Sequence, residues 1–456
     1  MTKNVKSLET RFKDMQELYK NIEMLNETIP NPYVQKMSDA ILTNEDLNEF
    51  MENISKYRAP RILLVGKDDV GKSSIINALM DKYVANIDDT KEGEYNIYYS
   101  LLSKGEAPVE FLDTGNIRET VHLYEGSEQQ EKIFEEIIEF EADICLLVLD
   151  ASSREGIEDD MNLINEIRQI YYLRNNTELP VIAVLNKVDL LEPGNERLPY
   201  SKEKLKNILE IKNAVRVEFK NHNFQINAIV PVSCVMEWKD EKSYDVKTIE
   251  ELNSLSDEER DHLKLVYDGR YHFDKLIKVM EKYITDPNAV MGLKLAFSLN
   301  DMLYDVANNF VKVFIGIATI MVGASIAVAD FYVLVILETI MVMLIMAISG
   351  RDMSMNSAKE FIASLTGTAG AGLAFRQIAR ISIKFIPVAG NLISAAVAGS
   401  GVKMIGDAAI KYYVLDYRLT DVRKEFKKDS RTNKIIIKSK QLTHKAVKKI
   451  RSVRNS

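Results

Sequence analysis

Three short groups of residues in this 456-residue chain have the types and spacing for chemistry on a phosphorylated ligand. The first is Gly66-Lys67-Asp68-Asp69-Val70-Gly71-Lys72-Ser73. Its two glycines let the backbone turn successive N–H groups into one anion-binding nest. Lys72 can reach β- and γ-phosphates, and the Ser73 hydroxyl can ligate Mg²⁺. The second group is Asp113-Thr114-Gly115, where a carboxylate can hold Mg²⁺, usually through water, and a glycine can approach the γ-phosphate. The third is Asn186-Lys187-Val188-Asp189, about 115 residues after the loop. A carboxylate there can accept both the N1 and N2 hydrogens of guanine, a donor pair that adenine lacks. Downstream, the backbone N–H groups of Ser233-Cys234 can meet the guanine O6.

These groups need a scaffold, and the pattern around them supplies one. Ile62 to Val65 is a short apolar run that reads as a buried parallel strand. The loop follows at once, and Ser74 to Met80 then reads as a helix with Ile75, Ile76 and Leu79 inward. A strand–loop–helix context gives the phosphate-loop pattern structural meaning. Further strands are expected at 95–103, 109–113, 144–149, 181–185 and 226–232. Helices are expected at 128–140, 157–174, 201–212 and 271–283. Such alternation predicts a doubly wound, mostly parallel α/β sheet with its ligand at the carboxyl ends of the strands. Residues 240–261 are acidic and polar and read as an insertion.

The formal net charge of −8 argues against a nucleic-acid binder by bulk electrostatics. The charge is uneven: from Arg418 onward there are 14 Lys and Arg against 3 Asp and Glu. Two cysteines, Cys145 and Cys234, without metal-ligand spacing fit a reducing compartment. No apolar signal-peptide core follows Met1, so a cytoplasmic start is expected.

Residues 61–286 resemble a translation-factor-type GTPase domain, nearest to the Era and tRNA-modification GTPases. Gly66 through Asn77 is similar to the Era-like phosphate loop, with Asp69, Val70 and Ser74 inside it, and Phe111-Leu112-Asp113-Thr114-Gly115 to that family's Asp-Thr-Pro-Gly. Asn186-Lys187-Val188-Asp189 matches its base-recognition motif, and Ser233-Cys234 stands where the family has Ser-Ala. The resemblance implies GTP and GDP as ligands, Mg²⁺ held by Ser73, Thr90 and Asp113, and switch segments near 84–94 and 113–127. Three departures matter. The proline of Asp-Thr-Pro-Gly is missing, which displaces Gly115 or puts Asn116 in its place. Asp69 replaces an asparagine that supports a monovalent cation in several relatives, so potassium dependence is left open. Ile117 stands where a water-orienting glutamine is found in Ras-like enzymes, and an apolar side chain cannot orient water, so slow intrinsic hydrolysis is expected. Arg118 and His122, nearby, read as idle exposed side chains.

On either side the chain changes character. Residues 1–57 read as a helical segment whose stripe of Leu8, Phe12, Met15, Leu18, Ile22 and Leu25 needs a partner surface. Residues 287–416 carry apolar runs at 313–329, 331–350 and 385–402, at the short edge of what spans a bilayer. Ala389-Gly390-Asn391 with the small-residue run after Pro387, then Gly406 to Tyr413, resembles the hydrophobic helical domain of unknown function appended to some bacterial Era-like GTPases. The tail, 417–456, is basic, with a narrow stripe of Leu442, Ala446, Ile450 and Val453 suited to an anionic bilayer surface.

The combined expectation is a GTP-binding and GTP-hydrolysing switch, residues 58–286, coupled to a helical module at the cytoplasmic membrane face. That module would be peripheral or integral through residues 313–402. Membrane lipids and a homodimer or effector protein are its expected partners. Two alternatives stand beside it: a dynamin-like or immunity-type self-assembling membrane-remodelling GTPase, and a GTP-binding adaptor without significant hydrolysis.

Overall fold

The computed structural model describes residues 7–28, 32–87, 97–102, 107–113, 128–153, 156–194, 196–240, 245–323, 331–366 and 391–429. They form two compact units: residues 56–299, and residues 1–55 together with 300–456. The chain enters through three helices of the second of these, α1 (Leu8–Thr28), α2 (Pro32–Leu42) and α3 (Glu45–Ser55).

The 56–299 unit is built on a sheet. Its elements are β1 (Arg61–Val65), α4 (Lys72–Met80), β2 (Ile97–Leu102), β3 (Pro108–Asp113), α5 (Glu128–Glu139), β4 (Ile144–Asp150) and α6 (Ile157–Asn175). There follow β5 (Val181–Asn186), α7 (Lys202–Asn221) and β6 (Ala228–Pro231). The strand order is β2-β3-β1-β4-β5-β6, all parallel except the edge strand β2. Continuous apolar runs make this possible: every residue of β5 is buried, as are all of β4 but its last. Phe134, Ile137, Ile164, Ile167, Phe219 and Phe224 cover it from the helices and loops. Register then places the chemistry. Leu64 pairs with Asp113 and Asp150 with Asn186, so the phosphate loop and both motif residues emerge together at the carboxyl edge.

Two parts of this unit differ from the sequence expectation. Strand β6 ends at Pro231, and Ser233-Cys234 starts a new strand rather than ending one. That strand, β7 (Ser233–Lys239), pairs antiparallel with β8 (Lys264–Tyr271). The polar stretch between them holds two short helices, α8 (Ile249–Asn253) and α9 (Asp257–Asp261), each started by a reciprocal capping box, Thr248 with Glu251 and Ser256 with Glu259. Tyr83, Trp238 and Leu252 form a small buried cluster under this insertion. Because Tyr271 belongs to β8, the next helix, α10 (Phe273–Tyr283), begins later than expected.

The unit also continues through α11 (Pro287–Phe297), past the expected boundary at 286. The reason is a clasp. Arg58 donates to Asp143 and, at 2.8 Å, to Asp286, while a Cβ on Gly292 would lie 1.9 Å from the Arg58 carbonyl oxygen. Only glycine permits that approach of two backbones.

In the other unit, α1 to α3 are joined by α12 (Leu299–Gly323), α13 (Phe331–Ile348), α14 (Met355–Thr366) and α15 (Asn391–Ala409), the last running into a π-turn at Ile410–Val414. The stripe on α1 is covered within its own chain: Leu8, Met15, Leu18 and Ile22 are buried, and Arg11 donates to the Ile348 carbonyl at the end of α13. Phe50 of α3 meets Phe310 of α12 edge to face at 6.0 Å. Val333 to Ile348 is almost entirely buried, Glu338 included. That makes α13 the core helix of its unit, apolar all round because neighbours surround it. Among the described residues one helix, Leu299–Met321, is long and apolar enough to cross a membrane, by length and composition. Of the basic tail, residues beyond 429 lie outside the described residues.

Candidate functional site

The phosphate loop is shaped by backbone geometry that its residue types allow. A Cβ on Gly66 would sit 2.3 Å from the Val148 carbonyl oxygen, so the loop passes closer to β4 than any side chain permits. Gly71 has φ of 93°, and its Cβ would meet Asn186 Nδ2 at 2.4 Å. Asp69 is also left-handed, φ 60°, a conformation that Asp tolerates better than most residues. From Gly71 the chain turns into α4, whose first-turn N–H groups and dipole face an anion placed at the loop. Lys72 is 7% exposed; its Nζ donates to the carbonyls of Gly66 and Lys67 at 2.9 and 3.0 Å, with Asp68 at 4.0 Å. An ammonium held among neutral carbonyls gains from a phosphate beside it. Ser73 and Ser74 follow in the first turn of α4.

The Asn186-Lys187-Val188-Asp189 segment is tied to this loop directly. Buried Asn186, at the end of β5, donates from Nδ2 to the Val70 carbonyl at 2.9 Å. Its Oδ1 accepts from Cys234 Sγ at 3.2 Å. Burial first, then the charge of Asp189, pushes the Cys234 thiol up, so it stays protonated and can donate. Asn186 therefore clamps phosphate loop to base motif rather than offering its amide to solvent. Lys187 adopts φ of 62° and sends Nζ to Asp150 at 3.0 Å. Burial acts to raise the Asp150 carboxyl, but hydrogen bonds from Ser152 and Lys187 outweigh it and hold it below the usual range. Val188 to Leu190 makes a single 3₁₀ turn that carries Asp189. Gly71, Ser74, Asn186, Lys187, Asp189 and Cys234 all line one cavity of about 290 Å³.

One residue of this site has no signal in the sequence. Lys204, in the first turn of α7, is fully buried and donates to the carbonyls of Asp189, Leu191 and Pro193 at 2.6, 3.0 and 2.9 Å. Three carbonyls on one ammonium fix the loop that presents the Asp189 carboxylate. Ser233 is buried at the start of β7, and the Val188 N–H donates to the Val232 carbonyl at 3.3 Å, which docks the Ser-Cys segment beside the base motif.

For a metal, the described donors are Ser73 and Asp113, which is buried at the end of β3. Among the described residues no group of three or more His, Cys, Asp or Glu is placed to hold an ion. Two hard oxygen donors beside an anion-binding loop fit Mg²⁺, which keeps waters and takes phosphate oxygens for the rest of its octahedron. Thr90, Gly115, Ile117, Arg118 and His122 lie outside the described residues.

Residues 61–187 match the family of 50S ribosome-binding GTPases. This segment is a P-loop GTPase domain. Among curated proteins the chain is 31% identical over 200 residues to the tRNA modification GTPase MnmE of Aquifex aeolicus, which covers 42% of this chain and 41% of that protein. It is 29% identical over 174 residues to GTPase Der of Chlamydia abortus, covering 37% of this chain and 34% of that one. The chain thus spans about two-fifths or less of these relatives' own length. Among solved structures, the LeoA bacterial dynamin GTPase from ETEC covers 96% of this chain and 98% of its own at 13% identity, with a TM-score of 0.33, too low to support an argument. The GTPase domain agrees with the expected fold class, a doubly wound sheet with an antiparallel edge strand.

Proposed function

We propose that the chain binds GTP and GDP and hydrolyses GTP to GDP and phosphate, acting as a nucleotide-dependent switch. The observation that supports this best is the convergence of Asn186, Lys187, Asp189 and Cys234 with Gly71 and Ser74 on one cavity. In this reading Asp189 accepts the two guanine hydrogens, and Lys204 keeps it in place. The aliphatic stem of Lys187 would lie along the base while its ammonium stays on Asp150. Lys72 leaves its carbonyl partners for the β- and γ-phosphates. Mg²⁺, held by Ser73, by Asp113 through water and by Thr90 of the first switch, would neutralise charge developing on the transferred phosphoryl group.

Intrinsic hydrolysis in this proposal is slow, because Ile117 supplies no hydrogen bond to a water, and an effector protein or a second copy completes the site. The helical unit is the part that responds, at a membrane surface. Support comes from the end of α12, where Val313 to Met321 carries no charge and Ile320 is 74% exposed, and from the cationic tail. The burial of α13 inside its unit favours surface attachment over a span through that segment.

The test is calorimetric titration of the purified chain with GDP, a non-hydrolysable GTP analogue and ADP, followed by single-turnover phosphate release. Guanine-selective binding with slow release supports the reading, and equal affinity for ADP overturns it. Flotation with vesicles containing anionic lipid tests the membrane part: protein that stays at the bottom at low salt refutes it.

A further inference from the structure

The stretch from the end of α4 into the first switch segment has no regular structure, yet side chains hold the backbone of Val84, Ala85 and Ile87. Asp81 ends α4 in a left-handed conformation, and the chain then runs from Tyr83 to Ile87 directly into residues 88–94. Asn77, buried on α4, accepts from Val84 N and Ala85 N at 2.8 and 2.7 Å and donates to Ala85 O at 2.7 Å. The other hand comes from the insertion. Asn253, at the end of α8, donates to Ile87 O at 2.6 Å and accepts from Ile87 N at 3.1 Å, as a neighbouring strand would. It also accepts from the Tyr83 hydroxyl at 2.5 Å. Arg260 of α9 donates to Asn86 Oδ1 at 2.6 Å, to Val84 O at 3.4 Å and to Asn253 O at 3.1 Å, with its guanidinium 5.5 Å from the Tyr83 ring centroid.

The same insertion reaches the base site. Strand β7, which leads into it, carries Cys234, the donor to Asn186, and Leu252 of the insertion lines, with Trp238 and Ile87, the cavity that Asp189 lines. Strand β7 and the insertion that follows it thus touch both the base motif and the start of the first switch segment.

We propose that helices α8 and α9 of the insertion form a latch in which Asn253 and Arg260 are positioning residues, fixing residues 84–87 at the start of the first switch segment so that its threonine can meet the γ-phosphate side of the ligand. This rests on the GTPase reading above. An ordinary packing role would contribute to binding of any guanine nucleotide. A latch on the switch root acts only where the switch contacts the ligand, which is in the triphosphate state. Stretches of polar loop are held by many proteins, but here a bidentate amide grips Ile87, the last described residue at the start of the switch segment.

The experiment compares Asn253→Ala and Arg260→Ala with the unaltered full chain, measuring affinity for GDP and for a non-hydrolysable GTP analogue, and kcat and KM for GTP. Loss of a bidentate hydrogen-bonded grip is expected to lower analogue affinity and kcat about tenfold while GDP affinity stays within twofold. Hydrogen exchange without nucleotide gives an independent readout: Asn253→Ala exposes the Ile87 amide but leaves Val84 and Ala85, which Asn77 holds, protected. Equal losses for GDP and the analogue, or no change in either, overturn the latch. Should Asn253→Ala fail to fold, Asn253→Gln, which keeps polarity but misplaces the amide, carries the same comparison. Failure of the unaltered chain to bind guanine nucleotide would refute the GTPase reading itself, separately from the variants.

Discussion

Replacing Asp189 by Asn probes the geometry of the base site with minimal disturbance. The two side chains have the same shape, and the backbone of the turn is held by groups that the change leaves alone: Lys204 Nζ on the Asp189 carbonyl at 2.6 Å and the Val188 N–H on the Val232 carbonyl. What changes is hydrogen-bond polarity. In the proposed site the carboxylate would accept from both guanine N1–H and N2–H, two charge-assisted bonds worth about 1.5–3 kcal/mol each. The amide keeps one acceptor and turns a donor toward N2–H, so a loss of about 3 kcal/mol or more is expected. At about 1.4 kcal/mol per decade, that is a factor of roughly a hundred or more in Kd for GDP. Xanthine has a carbonyl where guanine has the amino group, and it accepts from the new amide donor. Asp189→Asn is therefore expected to bind the xanthosine nucleotide more tightly than GDP, with an unchanged unfolding midpoint. Calorimetric titration with both nucleotides decides. Retention of GDP affinity within threefold in the variant would refute the assignment of Asp189 as the guanine acceptor.

Three further outcomes follow from the packing. Gly71→Ala places a Cβ against Asn186 Nδ2 at a φ of 93° and breaks the clamp to Val70, so nucleotide affinity should fall at least about tenfold by the same titration while the fold survives. Lys204→Met leaves three carbonyls without their donor and should destabilise the 56–299 unit by about 3 kcal/mol or more in urea unfolding, with weaker GDP binding; an unaltered midpoint would contradict this. In the helical unit, burial without a partner for Oε2 raises the Glu338 carboxyl from 4.5 to about 8. The folded state therefore favours the protonated acid: its contribution is full below about pH 4.5 and is lost as pH rises toward 8, by up to about 5 kcal/mol. Glu338→Gln should flatten that decline in calorimetric unfolding between pH 5 and 8, and parallel slopes for both proteins would refute it.

Much of the GTPase domain was legible because its signals are local. Short continuous apolar runs such as Ile144 to Leu149, alternating with amphipathic helices, fit central parallel strands, and a Gly-Lys-Ser turn between strand and helix points to a phosphate ligand. The base motif was legible from spacing, although the clamping role of Asn186 depends on a Val70 carbonyl 116 residues away in sequence. The hairpin of β7 and β8 was missed because a long acidic stretch separates strands that are only half-buried. Its traces were present: Thr248-x-x-Glu251 and Ser256-x-x-Glu259 are capping boxes, and Leu265 and Tyr267 alternate with exposed neighbours. Lys204 could not be read at all, since a lysine on an amphipathic helix is normally solvated and only the folded loop supplies its three carbonyls. The apolar stripe of α1 announced a partner but not which one, because the covering helix α13 lies some three hundred residues later. The same burial makes α13 look like a membrane segment from composition alone, when its neighbours are helices of its own unit.

The most direct test is competition at equilibrium: a fluorescent GDP analogue bound to the purified chain, displaced by GDP, GTP, ADP or ATP in Mg²⁺. If the cavity bounded by Asp189, Lys187 and Gly71 is a guanine site, both guanine nucleotides displace the probe, and the adenine nucleotides do not at a hundredfold higher concentration. Displacement by ATP at concentrations similar to GTP would contradict it.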